Sequence, residues 1–71
     1  MESSALGERL RQAREGKGLV RGEVATKLDI SERTLARWER GDFEPSLATL
    51  GKLAELYGVP IANLIAGDNA A

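Results

Sequence analysis

Apolar positions recur along this chain at helical spacing, and nowhere do they alternate with the two-residue rhythm of a strand. Leu6, Leu10 and Ala13 stand at i, i+4 and i+7, the stripe of a first helix running from about Ser4 to Glu15. Ser4 offers it an N-cap, and Gly16-Lys17-Gly18 ends it. Val24, Ala25 and Leu28 form a second, shorter apolar set. Ile30 falls in a tight turn, and Ser31 caps a third helix that stops at Gly41 and carries Leu35 and Trp38 as its apolar pair. Pro45-Ser46 opens a fourth helix whose core stripe is Leu47, Leu50, Leu53, Ala54 and Tyr57. Gly58-Val59-Pro60 breaks that helix, and Ile61, Leu64 and Ile65 make a short fifth. Residues 1–5 and 67–71 have little to bury and are expected to be tails around one domain at 6–66. The predicted class is all-α, a compact bundle of five short helices.

The turn Leu28-Asp29-Ile30-Ser31 joins two helices of about eight to ten residues, the proportions of a helix-turn-helix over residues 21–40. On a wheel advancing about 100° per residue, Arg33 stands at about 0°, Arg37 at about 40° and Arg40 at about −20°. Leu35 and Trp38 lie opposite, at about 200° and 140°. Arg33 and Arg37 repel across one turn by about 0.2–0.5 kcal/mol in an isolated helix. A phosphate or a guanine edge would relieve that repulsion. Glu39 falls at about 240°, beside Leu35, where an unpaired carboxylate is costly. Arg14, one turn beyond Leu10 at the edge of the first helix's stripe, is the cation that can meet it. An Arg14–Glu39 ion pair is therefore expected, setting the angle at which the arginine face is presented.

Composition narrows the chemistry. The chain has 71 residues, 10 Lys and Arg against 11 Asp and Glu, and a net charge of −1. That charge is unevenly placed: residues 7–40 hold nine basic and six acidic side chains, a net of +3, whereas 41–71 carry −3. With no Cys and no His, disulfides, thiolate or imidazole metal ligation and His-based acid–base catalysis are all excluded. Gly16-Lys17 resembles a phosphate-binding loop, but Arg11 stands where the first glycine belongs and Gly18 replaces the Ser or Thr. No catalytic constellation, metal site or cofactor is expected. The N-terminus lacks a signal-peptide pattern and no apolar run reaches the roughly 20 residues of a membrane span, so the expected location is cytoplasmic.

The segments Leu6-Gly-Glu-Arg-Leu-Arg-Gln-Ala-Arg14, Val24-Ala-Thr-Lys-Leu-Asp-Ile-Ser31, Leu35-Ala-Arg-Trp-Glu-Arg-Gly41, Pro45-Ser46 and Leu50-Gly-Lys-Leu-Ala54 follow one another at a characteristic spacing. Together they resemble the phage repressor/Cro-type helix-turn-helix family of bacterial and phage transcription regulators, from Leu6 to Ile65. The resemblance implies a lambda-repressor-like five-helix domain whose third helix docks in the major groove of double-stranded DNA. Carried over by position, base contacts fall on Glu32 and Arg33, with Arg37 one turn on. An arginine fork can bond guanine O6 and N7, and a carboxylate can accept from cytosine N4. Ser31 serves as N-cap and as a phosphate or base contact, and Arg21 and Arg40 meet phosphate. The function implied is that of a sequence-specific regulator of transcription, repressor-like.

Departures from the family pattern carry expectations of their own. Val20-Arg21 replaces the usual Ser/Thr-Gln and Gly22 follows, so the second helix should start raggedly. Asp29 stands where the turn usually has Gly. Asp42 and Glu44 sit in a loop that is often basic, which lowers affinity for phosphates. Trp38 should pack between the third and fourth helices, and Tyr57 should end the core with its hydroxyl in water. Leu56, Val59, Ile61 and Ile65 are expected to leave an apolar patch through which the last helix forms a homodimer, reading two half-sites about one helical turn apart. The alternative is a protein-interaction module that keeps the same scaffold and binds a partner protein, favoured by the acidic half of the chain.

Overall fold

The computed structural model describes residues 5–65. Five helices follow in order: α1 Ala5–Gly16, α2 Arg21–Leu28, α3 Glu32–Arg40, α4 Leu47–Tyr57 and α5 Ile61–Ile65. No strand occurs among the described residues. Ala5 is already helical, inside the segment assigned to an N-terminal tail. The cap expected at Ser4 and the tail at 67–71 lie outside the described residues.

Short helices need strong ends, because each leaves its first N–H and last C=O groups without intrahelical partners. Ser31 Oγ accepts from Thr34 N at 3.0 Å and Ser46 Oγ from Thr49 N at 3.1 Å, capping α3 and α4. The start of α2 is tied down rather than ragged. Valine has no polar side chain to cap with, but Glu23 Oε1 reaches back and accepts from Val20 N at 3.0 Å, half of a capping box.

At their other ends α1, α2, α3 and α4 use one device. A left-handed residue and its successor both donate back into the last turn, as in Leu19 N to Arg14 O and Ile30 N to Ala25 O. The left-handed residue is Gly18, Gly41 or Gly58 at three ends and Asp29 (φ 58°) at the fourth. Aspartate is one of the few non-glycine residues that enters this region routinely.

The fully buried side chains Leu10, Val24, Leu35, Leu53 and Leu64 come one from each helix, and this is what holds five short segments in one body. α1 lies against α3, α4 and α5, while α2 packs on α3 and α4 on α5. Trp38 is partly buried against this core. Leu47, expected in the core stripe of α4, is instead 66% exposed, because it begins the helix one turn ahead of Leu50, where the packed stripe starts. The apolar patch expected near the C-terminus is also smaller: Leu56, Val59 and Ile61 pack partly onto the core and Ile65 stays exposed.

α1 and α3 approach each other closely at Gly7. A methyl group added at Gly7 would collide with the carbonyl oxygens of Trp38 (2.6 Å) and Glu39, which are backbone atoms and cannot turn aside. Gly7→Ala is therefore expected to destabilise the protein by about 1–3 kcal/mol through overpacking. At about 4–8 °C per kcal/mol for a domain of this size, a thermal melt checks it; an unchanged melting temperature would mean that α1 and α3 can separate freely.

Candidate nucleic-acid interface

Behind α3 lies a buried charge. The Glu39 side chain is only 1% exposed and accepts from two arginines on two other elements. Arg14 of α1 donates from Nε to Oε2 at 2.7 Å and from Nη2 to Oε1 at 3.1 Å, the parallel two-point contact a guanidinium makes with a carboxylate. Arg21, the first residue of α2, donates from Nε to Oε1 at 3.0 Å. Arg14 also donates from Nη1 to Leu19 O at 3.0 Å, tying down the α1–α2 turn. The bond to Glu39 holds the Arg14 guanidinium above its ordinary pKa, with burial working the other way. A second carboxylate, Glu15, stands 3.9 Å from Arg14 Nη2. Arg21 keeps its side chain 42% exposed while it holds Glu39.

The opposite face of α3 is turned outward. Leu35 and Glu39 are buried, whereas Ser31, Glu32, Arg33 and Arg40 are exposed and Arg37 is half-buried. The side chain at Arg33 has no ion-pair partner among the described residues. Arg37 places its guanidinium carbon 5.3 Å from the centre of the Phe43 ring, a cation–π contact. Arg40 pairs with Asp42 at 2.8 Å. Glu32 leans towards the first turn of α2, where a Cβ at Gly22 would stand 3.1 Å from its Oε2. Gly22 thus leaves room for Glu32 to lie there. The structure brings Arg33, Arg37 and Arg40 onto one helix face, whereas Glu32, two turns before Glu39, lies on the α2 side of the helix, where Arg21 is anchored through Glu39.

Several participants are not evident from the sequence pattern. Arg9 donates from Nε to Leu64 O at 2.8 Å and from Nη2 to Ile65 O at 2.7 Å, closing the open carbonyls of α5. Arg11 pairs along its own helix with Glu8 and Glu15. The arginines of α1 are thus all engaged within the fold. Tyr57 corrects another expectation: it is 3% exposed, and its hydroxyl is buried with no hydrogen-bond partner among the described residues instead of reaching water. The reason is position, since Tyr57 ends α4 under the Glu39 cluster. Its pKa is pushed up to about 12, first by burial and then by the charge of Glu39, with Arg14 opposing.

Two helices joined by a tight turn, the second carrying outward arginines over a buried carboxylate, define a helix-turn-helix domain. The helix-turn-helix family model matches residues 10–64, and the chain belongs to that family. It is 39% identical over 64 residues to the HTH-type transcriptional regulator ImmR of Bacillus subtilis, covering 90% of this chain and 50% of that protein. It is 39% identical over 57 residues to the cryptic phage CTXphi transcriptional repressor RstR of Vibrio cholerae (80% and 51%). With the regulator DdrOP3 of Deinococcus deserti it shares 42% over 62 residues (87% and 48%). The chain thus spans about half the length of these relatives. The solved BldD DNA-binding domain of S. venezulae superimposes with a TM-score of 0.75 at 33% identity, covering 87% of this chain and 93% of that one.

Removing the Glu39 carboxylate strands Arg14 in the interior. Glu39→Ala is expected to destabilise the fold by about 3–5 kcal/mol, as breaking a buried pair from one side does. A thermal melt like the parent's would show that the pair contributes nothing. Tyr57→Phe should act in the opposite direction, being neutral or stabilising by up to about 1 kcal/mol at neutral pH, because it removes a buried hydroxyl with no partner. Folded Tyr57 keeps its proton to about pH 12, while the unfolded side chain releases it near 10.0, so ionisation favours the unfolded state above that point and stability falls as pH rises through the interval. Melts from pH 9 to 12 should show a steeper loss in the parent than in Tyr57→Phe; parallel curves would contradict the assignment.

Proposed function

We propose that this chain is the DNA-binding part of a repressor-like regulator of transcription and that it reads double-stranded DNA with α3 in the major groove. The observation that carries this is the two-sided character of α3: a carboxylate held by arginines behind it and Arg33, Arg37 and Arg40 in front. Base contacts are assigned to Glu32, Arg33 and Arg37. An unpartnered guanidinium on an exposed helix face suits the two acceptors of guanine, and a carboxylate suits the amino group of cytosine. Phosphate contacts are assigned to Arg21, Ser31 and Arg40. Arg21 fits best, since its Nε is fixed on Glu39 while the side chain stays 42% exposed.

The relatives support the DNA reading over a protein-interaction module, being named as regulators of transcription. Two copies meeting through α5, where Ile65 remains exposed, would address half-sites about one helical turn apart. A cytoplasmic location fits such a target; no described helix is long and apolar enough to cross a membrane.

Selection of bound sequences from a random duplex pool tests the proposal, since site and symmetry emerge together. On the selected site Arg33→Ala and Arg37→Ala are each expected to weaken binding by about 1–3 kcal/mol and to relax preference at the contacted base. Variants that bind as tightly and as selectively as the parent would remove both from the base-reading surface. A pool that yields no enriched sequence would favour the protein-interaction reading.

A further inference from the structure

The end of α3 differs from the ends of its neighbours in a way the fold does not require. Where α1, α2 and α4 stop, the residue whose N–H closes the last turn is Leu19, Ile30 or Val59, each packed on the core. At the end of α3 that place belongs to Asp42, whose N–H donates to Arg37 O at 3.0 Å. The backbone bond fixes the aspartate against the last turn of α3. Its Oδ2 then accepts from Arg40 Nη2 at 2.8 Å and from Nε at 3.2 Å. Exposed ion pairs between long, free side chains are weak because both must be ordered. Here one partner is already positioned by the main chain.

We propose that Asp42 is an affinity-determining residue of the interface, its carboxylate holding on Arg40 the place that a DNA phosphate takes in the complex. The proposal rests on the DNA-binding reading above. A carboxylate and a phosphate offer the guanidinium the same pair of anionic oxygens, so they compete for the same edge. Binding at this position exchanges one anion for another, and the displaced Asp42 is left beside the phosphate that replaced it. Arg40 therefore adds less to phosphate affinity than its charge alone provides. Glu44, two residues further on, is exposed and carries the same charge with no ion pair among the described residues. It separates a specific contact from general electrostatics.

The test measures affinity for random-sequence duplex DNA across a salt series, using the 71-residue chain, Asp42→Asn, Glu44→Gln, Arg40→Ala and the Arg40→Ala/Asp42→Asn double variant. Asp42→Asn keeps the backbone N–H, and a thermal melt confirms that it folds. It is expected to bind about three- to tenfold more tightly at low salt and to steepen the dependence of log K on log salt by up to about 0.9. In the Arg40→Ala background the gain should vanish, and Glu44→Gln should shift affinity by less than about twofold. An equal gain with Arg40 absent, an equal gain from Glu44→Gln, or no gain from Asp42→Asn would each overturn the proposal. If no protein in the set binds duplex DNA even at the lowest salt, the DNA-binding reading falls and the proposal falls with it.

Discussion

The structure depends on one carboxylate that cannot reach water. Glu39 sits in the interior and is tolerable there only because its oxygens accept from Arg14 on α1 and Arg21 on α2. That requirement links three helices through one point. It fixes the rotation of α3 about its axis, since the side that must face the arginines is opposite the side that carries Arg33 and Arg37. The absence of a side chain at Gly7 serves the same geometry by letting α1 approach the carbonyls of Trp38 and Glu39. A buried pair of this kind adds little to stability relative to a well-packed apolar substitute. What it contributes here is orientation, because few other placements of α3 would satisfy both guanidinium groups.

Once α3 is oriented, the charges divide into two populations. Arg9, Arg11 and Arg14 are engaged with carbonyls or carboxylates of the domain itself. The side chains of Arg33, Arg37 and Arg40 face outward, and Arg21 bridges the two groups. A chain of net charge −1 can thus present a basic surface, because its acidic residues are largely elsewhere or already paired. Its long-range attraction to a polyanion is correspondingly small. The loop after α3 sharpens this, since Asp42 and Phe43 already occupy Arg40 and Arg37 before any ligand arrives.

Much of this was legible in the amino-acid order. Helical spacing of leucines, Ser31 and Ser46 as caps and the glycines at helix ends specify five short helices by local rules that act within one or two turns. The wheel position of Glu39 beside Leu35 pointed to a buried carboxylate and hence to a cation, and Arg14 was the residue whose own helix turned it the same way. The arginine stripe of α3 was readable for the same reason: which residues share a helix face is a property of the sequence alone.

Tertiary contacts decided the rest. That Leu47 is solvent-exposed, that the Tyr57 hydroxyl is enclosed and that Leu56, Val59 and Ile61 lean on the core depend on where the neighbouring helices stop, which no local spacing encodes. The close approach at Gly7, the grip of Arg9 on the end of α5 and the second cation on Glu39 join residues far apart in the chain. Local sequence thus determined which segments are helical and which side of each is apolar, because those depend on neighbours a few residues away. Only the packed assembly decided which charges are neutralised inside and which remain to meet a ligand, because distances between distant residues exist only once the chain has folded.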